Sequence, residues 1–132
     1  MDQMLNAALP FAQQMLAKHG AFAPYAVSMS AAGEIGMVAA HAETQQPVTV
    51  DVLEMLYEGL RGQSHEIRAA AIACDVKLRP SGEDAIQVAI EHREGAVLAV
   101  VLPYKKRRFG GGIEYGTMKA IPSQTRIWRR DT

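Results

Sequence analysis

The sequence contains one cysteine, Cys74, among 132 residues. A lone thiol cannot close an intrachain disulfide and supplies at most one metal ligand. A disulfide framework and a multi-cysteine metal site are both excluded. Long apolar runs are lacking as well: the longest, Ala96 to Leu102, falls far short of the roughly 20 residues that span a bilayer, so no membrane partner is expected. Asp2 and Gln3 stand where a secretory leader carries basic residues, and Asn6 and Pro10 interrupt any apolar stretch, so the expected compartment is the cytoplasm. Net charge is zero, yet 48% of residues are apolar, which excludes intrinsic disorder. The length suits a single domain over 1–132 with one core and no need of staples.

The zero net charge hides an asymmetry. Residues 1–103 hold 12 acids and 6 bases, a net of −6, and residues 104–132 hold 8 bases and 2 acids, a net of +6. A split of this kind marks a candidate anion-facing region and permits self-complementary pairing of copies.

Apolar periodicity divides the chain into elements. Residues 2–19 read as a helix with Met4, Leu5, Ala8, Phe11, Ala12, Met15 and His19 on one stripe, kinked or restarted near Pro10 and ended at Gly20. Residues 25–40 read as a hairpin around Ala31-Ala32-Gly33. A three-residue loop with glycine third pairs Met29 with Ile35 and Val27 with Met37, keeping the apolar side chains on one face. A second helix is expected over 49–61, with Val52, Leu53, Leu56, Tyr57 and Leu60 as its stripe. Residues 66–79 form a long strand whose faces are Ile72, Cys74, Val76 and Leu78 on one side and small alanines on the other. Residues 85–102 form a second hairpin. The loop Arg93-Glu94-Gly95 pairs Ile90 with Leu98, Val88 with Val100 and Ile86 with Leu102. A last strand is expected over 113–121, and Arg126-Ile127-Trp128 as a short edge strand.

These elements predict an α+β fold of order α-β-β-α-β-β-β-β: a single antiparallel sheet of about six strands with two helices on one face. The large aliphatics of residues 72–78, 86–90 and 98–102 are expected together beneath those helices. The element order resembles that of roadblock- and profilin-like domains. In sequence, Phe22-Ala23-Pro24-Tyr25 ahead of Ala32-Gly33-Glu34, and Ile86 through Tyr104 with its Glu91-His92-Arg93-Glu94-Gly95 turn and Leu102-Pro103-Tyr104 ending, resemble a pattern in small bacterial proteins with no assigned activity. That resemblance implies no catalytic or binding residue.

Motifs for chemistry are sparse. No two histidines stand at helical i, i+4 spacing, and His65-Glu66 is followed by Ile67-Arg68-Ala69, so no zinc-protease motif is present. Gly62-Gln63-Ser64-His65-Glu66 misses the esterase elbow: its second glycine is Glu66, and the order is helix then strand. Cys74 falls on an apolar strand face, where a thiolate is disfavoured. Gly110-Gly111-Gly112 matches no phosphate loop and precedes a strand. Glu91 and Asp75 lie on the small-residue faces of their strands. There an alanine-lined surface leaves room for a ligand or, more simply, lets a helix pack closely. Asp75 beside Lys77 and Arg93 reads as a solvated surface pair.

The strongest feature outside the core is Lys105-Lys106-Arg107-Arg108-Phe109, with Arg126, Trp128, Arg129 and Arg130 as a second basic and aromatic cluster. Clustered cations create a local positive potential, and the aromatics can stack on bases. These nine residues are the candidate partner- or anion-binding site. No catalytic residue, metal or cofactor is expected. The sequence thus points to a non-enzymatic interaction or assembly module, expected as a homodimer. The ground for the homodimer is that Val97, Ala99, Val101 and the alanines of the long strand leave one sheet face in need of cover. The alternatives are binding of nucleic acid or an acidic protein through the basic clusters, and binding or turnover of a small ligand.

Overall fold

The computed structural model describes residues 2–39, 49–107 and 111–128. Its elements are α1 (Asp2–His19), β1 (Tyr25–Ser30), β2 (Ile35–Ala39), α2 (Thr49–Gly62), β3 (Ile67–Lys77), β4 (Asp84–His92), β5 (Val97–Lys106), β6 (Ile113–Tyr115) and β7 (Lys119–Ile121). They form one antiparallel sheet in the order β2-β1-β3-β4-β5-β6, with β7 also paired to β5. The class and element order are those expected from the sequence.

Both hairpins adopt the register set by their glycines. Met29 pairs with Ile35 and Val27 with Met37, and Ile90 pairs with Leu98, Val88 with Val100 and Ile86 with Leu102. Gly33 and Gly95 hold φ of 92° and 107°, a region closed to most side chains, which is why each loop places glycine third. The Ser30 and His92 N–H groups donate to Glu34 O and Ala96 O and close the two loops.

The sidedness differs from expectation in two respects. First, the helices lie on opposite faces. α1 packs with Tyr25, Val27 and Met29 and with Ala69, Ala71 and Ala73, whereas α2 packs with Ala26, Ala70 and Ile72. Neighbouring strand residues point to opposite faces, so these two sets cannot share one. Second, the large aliphatics do not all align. β3 pairs with β4 so that Ala71 faces Ile90 and Ala73 faces Val88. Ile86, Val88, Ile90 and Leu102 therefore share the α1 face with the alanines of β3, while Ile72 turns to α2. Size explains the choice. Ala8 and Ala12 of α1 are fully buried in the core that holds Ala69 and Ala73, so small side chains on both elements let the helix approach β3 closely. The alanine-lined face is thus a packing surface.

Within α1 the most buried positions are Met4, Ala8, Ala12 and Leu16, a strict i, i+4 row. Leu5, Phe11 and Met15 flank it, and Pro10 lies on the exposed side within a continuous helix. In α2 the expected stripe is observed, with Val52, Leu56, Tyr57 and Leu60 buried.

The last expected strand is split. β6 pairs with Tyr104–Lys106 and β7 with Ala99–Val101. Between them lies Pro103, which has no N–H to donate, and the Gly116 N–H reaches across to Pro103 O. Residues 126–128 are a bend rather than an edge strand. The preceding residues cross the α2 face of the sheet, and Ile127 is buried against α2. Ala99 and Val101 are 3% and 7% exposed, so the face expected to need a second copy is covered there from within the chain. No helix among the described residues is long and apolar enough to cross a membrane.

Candidate functional site

Glu91 is the one buried charged residue among those described, at 6% exposure near the end of β4. Its carboxylate faces α2 because Glu91 pairs with Ala70, a residue of the α2-side core. Three consecutive backbone N–H groups donate to it. Arg126 N donates to Oε1 at 2.8 Å, Ile127 N to both oxygens at 3.1 and 3.0 Å, and Trp128 N to Oε2 at 2.8 Å. This is an anion nest occupied by the protein's own acid. Side chains complete the clasp. The Trp128 indole N–H donates to Ser64 O at 3.1 Å, and Arg61 Nε donates to Arg126 O at 2.7 Å. The guanidinium groups of Arg126 and Arg61 lie 5.1 and 5.8 Å from the Tyr57 ring centroid. Burial raises the Tyr57 phenol pKa above its ordinary value, and the Arg126 charge pulls it partly back.

Beside the clasp lies a cleft of about 450 Å³ between α2 and residues 122–126. Ile72, Cys74 and Val76 of β3 and Gln87 and Ala89 of β4 form its floor, and Tyr57 and Arg126 stand in its walls. Burial, and then the neighbouring Asp75 charge, raise the Cys74 thiol pKa, so Cys74 is a protonated, weak nucleophile at neutral pH. A second cleft, of about 210 Å³, lies at the hairpin end of the sheet, where Arg68, His92, Arg93 and Glu94 meet Gln3 of α1. Arg68 Nε there lies 3.1 Å from the Met29 sulfur. No group of three or more His, Cys, Asp or Glu side chains able to hold a metal occurs among the described residues.

The expected basic site is divided by the fold. Lys105 and Lys106 end β5 and, with Arg107, are exposed, while Arg108 and Phe109 lie outside the described residues. A Cβ at residue 20 would stand 3.1 Å from Lys106 Nζ, so this ammonium lies over the C-terminal end of α1, where the helix dipole is negative. Arg126 and Trp128 belong to the Glu91 clasp, and Arg129 and Arg130 also lie outside the described residues. Glu91 pairs with Val97, and Lys106 is nine residues farther along β5, about 30 Å at a strand's rise. The described members of the two clusters therefore sit at opposite ends of the sheet.

Asp75 has a different partner from the one expected. It accepts a 2.6 Å hydrogen bond from the Tyr104 hydroxyl, and Lys77 pairs instead with Asp84 at 3.9 Å. Burial, and then this bond, raise the Tyr104 phenol pKa. The sequence singles out Glu91 but carries no signal for its partners, because backbone N–H groups have no residue identity. No family model matches the chain, and no curated protein and no solved structure matches it, so the likeness to roadblock- and profilin-like domains rests on element order alone.

Proposed function

We propose that the protein is a cytoplasmic assembly module that forms a homodimer by pairing its β2 strands across a two-fold axis. The supporting observation is the character of that edge. β2 is an outermost strand, and Ile35 to Ala39 contains no charge and no proline. Ile35 and Met37 are 41% and 49% exposed. An apolar, unbroken edge offers free backbone N–H and C=O groups to another strand. The opposite edge has protective features that β2 lacks: β6 and β7 are three residues each and carry Glu114 and Lys119. Antiparallel self-pairing makes the patch complementary to its own copy, as a two-fold interface requires.

Sedimentation of the full chain at about 10 μM is expected to show a dimer that is insensitive to salt, because the contact is apolar and hydrogen-bonded. Met37→Lys places like charges near the axis and is expected to give a folded monomer. A wild-type monomer at about 100 μM refutes the reading. A second reading, binding of an anionic partner such as nucleic acid or an acidic protein, is favoured by the exposure of Lys105, Lys106 and Arg107. Failure of the wild type to bind heparin or nucleic acid at about 50 mM salt, where the electrostatic attraction is strong, removes it.

A further inference from the structure

We propose that the cleft between α2 and residues 122–126 is a binding site for a small amphiphilic carboxylate, with the carboxylate on Arg126 and the hydrocarbon along the sheet. The first ground is space where cover is expected. β3 and β4 are interior strands of the sheet, yet Val76, Gln87 and Ala89 remain only half-buried on the α2 face. The cavity above them, about 450 Å³, lies within the range of small-molecule sites, roughly 300–1,000 Å³.

The second ground is the chemistry of the lining. The floor is largely apolar, and none of the described lining residues is acidic. The cation in the wall is Arg126. Its backbone is fixed by Glu91, which takes the N–H, and by Arg61 Nε, which takes the C=O. The guanidinium is left to the Tyr57 face, 5.1 Å from the ring centroid. The same guanidinium hydrogen-bonds the Tyr57 hydroxyl, and with five N–H donors it retains others for a carboxylate. Arg61, at the same ring, adds a second positive charge. The floor along β3 from Ile72 to Val76 extends about 13 Å at a strand's rise, long enough to take an octanoate or decanoate chain. An anionic head with an apolar body satisfies both parts of the site. A cation meets the like charge of Arg126, and a bare polar solute leaves the apolar floor uncovered.

The test uses the full-length protein and octanoate, titrated calorimetrically at low salt, with octanol as the chain-matched neutral control. Octanoate is expected to bind saturably, one per chain, and octanol about tenfold more weakly or worse. Arg126→Gln leaves the backbone clasp in place and is expected to weaken octanoate about tenfold with little change in melting temperature. Ala89→Leu fills the floor and is expected to abolish binding. Should that variant fail to fold, the wild-type Cys74 thiol supplies the same information, because octanoate is expected to slow its reaction with a thiol reagent. Absence of octanoate binding up to about 1 mM overturns the proposal. Equal affinity for octanol overturns the assignment of an anionic ligand. Binding unchanged by Arg126→Gln, with Cys74 unprotected, places the ligand elsewhere and overturns the site.

Discussion

Replacing Glu91 by glutamine tests whether the clasp holds the segment it grips. The carboxylate oxygens receive four contacts from three consecutive N–H groups, at 2.8 to 3.1 Å. The amide keeps one oxygen and turns an NH₂ toward a backbone N–H, so at least one bond becomes a donor–donor contact. The remaining bonds lose their charge assistance. Hydrogen bonds to charged groups are worth about 1.5–3 kcal/mol each, which would total several kcal/mol if all were lost in place. The segment can detach instead, and water then satisfies its N–H groups. That caps the cost near what the docked segment contributes, chiefly burial of Ile127 at about 1.5–3 kcal/mol and the half-buried Trp128. We therefore expect Glu91→Gln to cost about 2–3 kcal/mol. Urea unfolding should show this as a fall of about 1 M in the midpoint. Hydrogen exchange should show amides 126–128 losing protection while Ile86–Ile90 keep theirs. A cost below about 0.5 kcal/mol with unchanged protection at 126–128 would refute the energetic role assigned to the clasp.

Three further outcomes follow from the packing and the titrations. Ala71→Leu should cost about 1–3 kcal/mol or more, since it drives α1 away from β3, whereas Ala89→Leu, in the floor of the open cleft, should cost little; equal tolerance in thermal melts would contradict the sidedness of β3 and β4. Burial pushes the Tyr25 phenol up to about 12, so the folded state keeps its proton longer than the unfolded chain, whose phenol titrates near 10. The stabilisation is whole below about pH 10 and is lost as pH rises toward about 12, and Tyr25→Phe should flatten that loss in alkaline urea melts. Replacing Lys105, Lys106, Arg107 and Arg108 with serine should change the melting temperature by no more than a few degrees, because Lys105, Lys106 and Arg107 are exposed and exposed like charges contribute little to stability; a large fall would show that these side chains are structural.

Of the candidate site, the residue types were legible and the arrangement was not. Glu91 stands out in the sequence as an acid on a small-residue face, and Arg126 and Trp128 as part of a basic tail. Nothing in the chain's pattern says that 35 residues separate an acid from the N–H groups that bind it, because the partner is a backbone conformation. The cleft is equally hidden. It exists because α2 covers β1 and part of β3, the final segment crosses farther along the sheet, and the two do not meet over Val76, Gln87 and Ala89.

What the sequence determined by itself is what short-range sterics and periodicity control. The two helices follow from apolar positions recurring every three or four residues. The registers of β1–β2 and β4–β5 follow from glycine at the third position of a three-residue loop, where a slip of one residue would turn every side chain over. The tertiary structure alone decided which faces meet. Between Lys77 and Asp84 the connection is six residues long, and loop chemistry does not set the parity with which β3 joins β4. That parity placed the alanines of β3 opposite the aliphatics of β4. It was decided by packing, because α1 carries Ala8 and Ala12 where it approaches β3, and α2 carries Leu56 and Leu60 where Ile72 needs cover. Local rules act over a turn of chain, whereas the complementarity of small and large surfaces acts only once distant elements touch.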